Sequence, residues 1–258
     1  MTDSPSSLLA HLQELRSRLL RGFAVILLLF CGLAFFASEL FSLLSQPLLA
    51  FLPEGSNMIA TDVATPFLTP FKLAFVAAIF IGMPFLLFQV WAFIAPGLYR
   101  QEKRLFIPLL LSSIVLFYAG IAFAFFVVFP LVFRFLTAVT PEGVSMMTDI
   151  SAYLDFVLTL FFAFGLAFEV PVATVLLVWA GVTTPSALAE KRPYVLLGAF
   201  VIGMFLTPPD VISQTLLALP MYVLFEIGIL MSRWLVSGWQ EVEAQRKAER
   251  EARSEEDA

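Results

Sequence analysis

The chain holds one cysteine and one histidine in 258 residues, and only 14% of its residues are charged. With Cys31 alone an intrachain disulfide is excluded, and with His11 alone so is a histidine-rich metal cluster. No glycine-rich phosphate loop and no Ser/His/Asp set occurs, so nothing argues for an enzyme, a metal or any other cofactor. A basic excess is missing too. The formal net charge of −5, much of it from the acidic C-terminal tail, gives no support to a nucleic-acid partner. Against these shortages stands an excess: 60% of the chain is hydrophobic and 29 residues are phenylalanine, more apolar surface than a soluble domain of this size hides. The composition predicts an all-α polytopic membrane protein.

A helix needs about 20 apolar residues to cross the hydrocarbon. Clear runs occupy residues 19–37, 71–94, 106–129 and 156–180. Two more, 194–206 and 211–231, are separated only by "TPPD" and predict a helical hairpin, which brings the spans to six. The first run has no small-residue cleavage site after it, so it reads as an uncleaved span rather than a signal peptide. Lys and Arg gather in cytoplasmic loops. Arg16, Arg18 and Arg21 precede span one, Arg100, Lys103 and Arg104 lie between spans two and three, and Lys191 and Arg192 between four and five. Arg233, Arg246, Lys247, Arg250 and Arg253 follow span six. In a six-span arrangement these 13 of the 15 basic residues share one side, with only Lys72 and Arg134 opposite. Both termini are therefore expected in the cytoplasm, with residues 1–236 forming the membrane domain and 237–258 a charged, disordered tail.

The fifth run is short. Thirteen residues rise about 20 Å at 1.5 Å each, against a hydrocarbon core of ~30 Å. Either the bilayer thins there or "RPYV" extends the helix with Arg192 snorkelling into the headgroups. Prolines punctuate the spans at Pro84, Pro108, Pro130, Pro171 and Pro220, and are expected to bend them into a curved wall. Of the two outer loops, 38–70 and 130–151, the first contains "ELFSLLSQPLLAFL", which predicts a short amphipathic helix at the interface. No internal repeat is visible.

Few polar groups remain to carry function. In "SPSSLLAHLQELRSRLLRG", Leu8, Leu12, Leu15 and Leu19 share one helical face, and His11, Glu14 and Arg18 share another. The bland reading of Glu14 and Arg18 is a solvated i,i+4 pair worth about 0.3 kcal/mol. The sharper reading adds Glu102, in "VWAFIAPGLYRQEKRL", where Trp91 and Tyr99 suit an interfacial belt. Two acids held against one membrane face can receive two guanidinium groups through charge-assisted bonds. Glu169, in "FGLAFEVPVA", falls near the middle of the fourth run, where an ionised carboxylate costs about 2.5 kcal/mol or more. Such a group faces the bundle interior, either in a functional role or as a protonated acid bonded to a neighbouring helix. Thr207, Asp210 and Gln214 could supply polar company near the hairpin.

In unbroken order from about residue 8 to 232, "HLQELRSRLLR", "SQPLL", "MIATDVATPF", "VWAFIAPGLYRQEKR", "FAFFVVFP", "FGLAFEVPV" and "KRPYVLLGAFVIGMFLTPPDVISQTLLALPMYVLFEIG" resemble TatC, the multi-spanning subunit family of the twin-arginine (Sec-independent) protein translocase. Residues beyond Ser237 carry no part of the resemblance. It implies a glove-like six-helix fold in the bacterial cytoplasmic (inner) membrane, acting as receptor and scaffold for export of folded proteins. Implied partners are twin-arginine signal peptides, single-span TatA- and TatB-type proteins, and further copies of the chain in a larger complex. The implied signal-peptide site is Glu14 and Arg16 of the "ELR" element with Phe93 and Glu102. Glu169, Met204, Thr207 and Gln214 fall on the implied intramembrane polar and partner-packing set, and Pro47 and Asp210 on functional loop positions. From another class, an ion- or proton-coupled small-solute transporter using Glu169 is the alternative. One central acid and no repeat disfavour it, and cation uptake by the chain alone in proteoliposomes would revive it.

Overall fold

The computed structural model describes residues 5–49, 58–94, 106–139, 149–206 and 211–235. Among them α-helices follow one another as α1 (Pro5–Leu33), α2 (Ala37–Leu49), α3 (Thr65–Ile94), α4 (Phe106–Phe123), α5 (Phe129–Val139), α6 (Ile150–Ala167), α7 (Val170–Trp179), α8 (Pro185–Glu190), α9 (Arg192–Leu206) and α10 (Val211–Leu235). A 3₁₀ turn, Ala34–Phe36, joins α1 to α2, and a π-helical turn, Ala124–Val128, joins α4 to α5. Five stretches are long and apolar enough to cross a membrane: Leu12–Ser45, Thr65–Phe93, Ile107–Phe135, Ile150–Trp179 and Gln214–Trp234. The shorter apolar helix Arg192–Phe205 is the sixth. Its parent element α9 has 15 residues, a rise of about 22 Å at 1.5 Å each, so the fifth crossing is indeed short.

Several boundaries differ from those the sequence predicts. The first helix starts well before residue 19, because the amphipathic segment runs into the apolar one without a break. The third does not stop at 129: α5 carries it to Val139, into the expected outer loop. The segment expected to form a short helix in the first outer loop does so, as α2. Cys31 is exposed on α1, so it faces outward rather than into packing.

The prolines act unequally. Pro108 is the third residue of α4, where its amide would have no intrahelical acceptor. Pro84 and Pro220 lie inside helices that continue past them. Two prolines do change the backbone. Pro130 cannot donate to the carbonyl of Phe126, and its ring crowds that carbonyl; the ladder widens to a π turn just before it. Pro171 likewise denies a bond to Ala167. There the chain tightens instead, with the Glu169 amide reaching back only to Leu166 O at 3.0 Å, and a new helix begins at Val170.

The chain divides into two compact units, one of Met1–Val115 with Phe125–Phe161, the other of Leu116–Ala124 with Phe162–Ala258. In the first, α1 and α2 pack on α3. Gly22 and Gly82 allow this: a Cβ at Gly22 would meet the Leu86 side chain at 2.9 Å, and one at Gly82 would meet Leu29 at 3.4 Å. Phe129, Phe133 and Tyr153 form a buried aromatic cluster at one end. Trp91 donates to Ser113 Oγ at 3.2 Å, which ties α3 to α4. In the second unit, α10 packs on α7, α8 and α9. Ala167, Ala199, Ala218, Met221 and Leu224 make a hydrophobic core there.

One polar clasp in the first unit has a pH signature. Asp149 Oδ1 accepts from the amides of Ser151 and Ala152, capping α6, while Oδ2 accepts from the Thr61 amide and, at 2.7 Å, the Thr61 hydroxyl. Ile150 also donates to Ile59 O at 2.9 Å. The Thr61 hydroxyl, followed by the Ala152 and Thr61 amides, lowers the Asp149 carboxyl from 3.8 to about 2. A lowered folded pKa adds stability above the unfolded value that is lost as pH falls through the folded one. Protection of the Thr61 amide from hydrogen exchange should therefore be flat from pH 8 to 5 and fall between about 4 and 2. Loss already between pH 7 and 5 would remove Asp149 from the role.

Candidate functional site

The clearest charged constellation lies where the amino-terminal part of α1 crosses the carboxyl-terminal part of α3. Glu14 and Arg18 are one helical turn apart, so their side chains lie on one face. Arg18 places both Nε, at 3.0 Å, and Nη2, at 2.6 Å, on the same oxygen, Glu14 Oε1. Its remaining nitrogen, Nη1, donates to Gln89 Oε1 at 3.3 Å across to α3. This corrects the bland reading of a solvated pair. The Arg18 side chain is only 20% exposed and Gln89 8%, so the guanidinium is seated between two helices, while Glu14, at 36%, keeps an open side. The sequence gives no sign of Gln89, because no local spacing links it to Arg18; the pairing spans 71 residues.

Arg16, two residues on from Glu14, points outward and is exposed. Phe93 is half-buried near the end of α3, one helical turn beyond Gln89. Glu102, Thr207 and Asp210 lie outside the described residues, as does the 237–258 tail. Pro47 is within α2.

In the second unit, Glu169 stands at the break between α6 and α7 as the residue preceding α7, and one of its carboxyl oxygens is shut off from the surface. Apolar periodicity alone puts it mid-helix; Pro171 puts it in the short break between the end of α6 and the start of α7. Gln214 donates through Nε2 to the Phe200 carbonyl of α9 at 2.9 Å and packs on Gly203, whose missing side chain lets the two helices meet. Met204 is 48% exposed on α9.

Further ion pairs join residues far apart in the chain. Lys72 pairs with Asp155, so one of the two basic residues assigned to the minority side has an acidic partner. "RPYV" does extend the short helix, which starts at Arg192, and Arg192 grips Glu226 of α10 with Nε and Nη2 at 2.6 and 2.8 Å, while Tyr222 donates to the same carboxylate at 2.7 Å. Glu226 is thus, like Asp155 and Glu169, an acid within an apolar span. Its signal in the sequence is the Tyr222/Glu226 i,i+4 spacing opposite a basic residue at the start of the preceding span.

Apolar helices of spanning length, with the short one before the last of them, define a polytopic helical membrane protein. A profile of the family described as "Sec-independent protein translocase protein (TatC)" matches residues 10–220. The Sec-independent protein translocase protein TatC of Azotobacter chroococcum is 63% identical over 228 residues, 88% of this chain and 89% of that one. Its counterpart in Escherichia coli is 58% identical over 234 residues, 91% of each. A crystal structure described as twin arginine translocase receptor TatC superimposes with a TM-score of 0.78 at 39% identity, covering 87% of this chain and 98% of that one. The chain belongs to the TatC family. It is a multi-pass inner-membrane subunit of the twin-arginine protein translocase, a transport component and not an enzyme.

Proposed function

We propose that this subunit is the receptor for twin-arginine signal peptides, with Glu14 and Glu102 taking the paired guanidinium groups, Arg16 and Phe93 flanking them, and both termini in the cytoplasm. The observation that carries the reading is the Glu14 carboxylate itself: it already accepts two N–H groups of one guanidinium and retains an open side. Glu102 belongs to the connection between α3 and α4, which leaves α3 beyond Gln89 and Phe93. Arginine suits such sites better than lysine because its planar fork donates in parallel. The orientation rests on the 13 basic residues of one side. Residues 1–236 act as the membrane domain, and 237–258 as its cytoplasmic tail. Cross-linking from positions 13 and 101 to the peptide should be strong with a twin-arginine leader and absent with a twin-lysine one. Equal yields from both leaders would remove the reading.

The same proposal gives Glu169, Met204, Thr207 and Gln214 to packing against single-span TatA- and TatB-type partners within a multi-copy complex, with Pro47 and Asp210 shaping the loops. The exposed Met204 beside the Gln214–Phe200 bond supports it. Transport should fall severalfold in Glu169→Ala and less in Glu169→Gln, which keeps the size and hydrogen bonding of the group. Full transport in both variants would exclude Glu169.

A further inference from the structure

We propose that the basic end of the α9–α10 hairpin binds the phosphate of an anionic phospholipid, with Lys191, Arg192 and Arg233 as the donors. The two helices run antiparallel, Gln214 bonding Phe200 O near one end and Arg192 bonding Glu226 near the other. The start of α9 therefore lies beside the last turns of α10, where the apolar span Gln214–Trp234 ends. Arg233 is seven residues past Glu226, two turns along the same helical face, and its charge acts on that carboxylate. Charge is unbalanced here. Three cations meet two acids, and only Glu226 is engaged, by Nε and Nη2 of Arg192; Glu190 is exposed and makes no ion pair among the described residues. Arg192 Nη1, the Lys191 ammonium and the Arg233 guanidinium have no hydrogen-bond acceptor among the described residues, so each remains an open donor. Like charges gathered in this way repel, and an anion set among them removes the repulsion.

The rings beside these cations favour a lipid over a soluble anion. Lys191 Nζ stands 5.6 Å from the centre of the Tyr194 ring, and Tyr194 and Trp234 are 69% and 86% exposed. Rings with an apolar body and a polar tip suit the headgroup layer, which sets the depth of the three donors. Basic pockets between spanning helices at that depth match lipid phosphates. Below the donors, Leu197 and Val201 are exposed along α9 and offer acyl chains an apolar track. Phosphatidylglycerol brings a net negative charge to the site, whereas phosphatidylcholine carries its own ammonium and brings none.

The test titrates the full-length chain, in micelles of neutral detergent, with phosphatidylglycerol, phosphatidylcholine or glycerol 3-phosphate, and counts bound molecules by native mass spectrometry. Phosphatidylglycerol should bind the parent more tightly than either of the others. Lys191→Gln should weaken it about fivefold, and Lys191→Gln with Arg233→Gln about thirtyfold. Both side chains are exposed, and Arg192 and Glu226 stay in place, so the hairpin should keep its fold. The exchange Lys191→Arg with Arg233→Lys keeps the charge and should keep the affinity. Arg246→Gln with Lys247→Gln removes the same charge from the tail and should change little. Parental affinity in the double variant, or an equal loss in the tail variant, would overturn the site, the second by showing diffuse surface charge only. Equal affinity for phosphatidylcholine would overturn the choice of an anionic lipid. Equal affinity for glycerol 3-phosphate, lost in the double variant, would make the ligand a soluble phosphate and overturn the lipid assignment.

Discussion

Gly120→Val is expected to leave the protein largely unfolded, and Gly228→Leu to do nearly the same. A Cβ at Gly120 would lie 2.4 Å from the carbonyl oxygen of Phe164 and 2.9 Å from its carbon. Both are backbone atoms of α6, so no rotamer change gives relief and the helices must part. Parting them loosens Phe123 from Phe164 and Phe168, whose ring centroids are each 5.5 Å away. At Gly228 an added Cβ would meet Thr174 Oγ1 at 2.1 Å and Pro171 Cα at 2.9 Å. Thr174 has little freedom, being 4% exposed with its hydroxyl donating to Pro171 O at 2.8 Å. Overpacking costs about 1–3 kcal/mol where side chains can adjust, and more against backbone. For a chain of this size each kcal/mol moves the midpoint by about 2–4 °C, so even Gly120→Ala should lower the melting temperature in detergent by about 5 °C. Gly198→Ala is the control, since among the described residues no atom beyond its own stretch of helix lies within 4 Å of its added Cβ. Equal melting of the Gly120 and Gly198 variants would contradict the packing described.

The second large effect is on binding. Glu14→Lys or Glu102→Lys should weaken twin-arginine leaders by well over tenfold, because reversal replaces an attraction with a repulsion. At 4 Å in a water-like medium each is worth about 1 kcal/mol, so the swing is about 2 kcal/mol, or roughly thirtyfold, and more where water is excluded. In Glu14→Lys the new cation also repels Arg18, which frees that guanidinium to face the leader. Glu14→Gln, which removes charge without adding any, should lose less. Raising salt should weaken the parental interaction and leave the Gln variant less affected. Undiminished binding in both reversal variants, measured by leader titration, would end the assignment of these acids.

Apolar length and the sidedness of Lys and Arg depend on local composition, so six crossings can be counted from the residues alone. The Glu14–Arg18 pair follows from helical spacing, and "TDISAY" contains the acid-before-helix signal that Asp149 fulfils as the cap of α6. Pairing between distant helices is not legible in this way. Gln89 sits under Arg18, and Glu226 under Arg192, only because α1 crosses α3 and α9 crosses α10. Proline is ambiguous for a related reason, since its effect depends on where the helix around it begins. Five sites look equivalent in the sequence, yet only Pro130 and Pro171 alter the helix: Pro108 is in a first turn, and α3 and α10 continue through Pro84 and Pro220. Glu169 gains its meaning from the same effect, moving from a mid-helix position to the break between α6 and α7.

The central claim is that carboxylates at one membrane face recognise guanidinium groups rather than positive charge in general. The Kd ratio of twin-lysine to twin-arginine leaders on vesicles carrying the assembled translocase tests it most directly. A ratio above about ten, collapsing toward one in Glu14→Gln with Glu102→Gln, is what guanidinium recognition by these two acids predicts. A ratio near one in the parent, or a large ratio that survives loss of both acids, would contradict it.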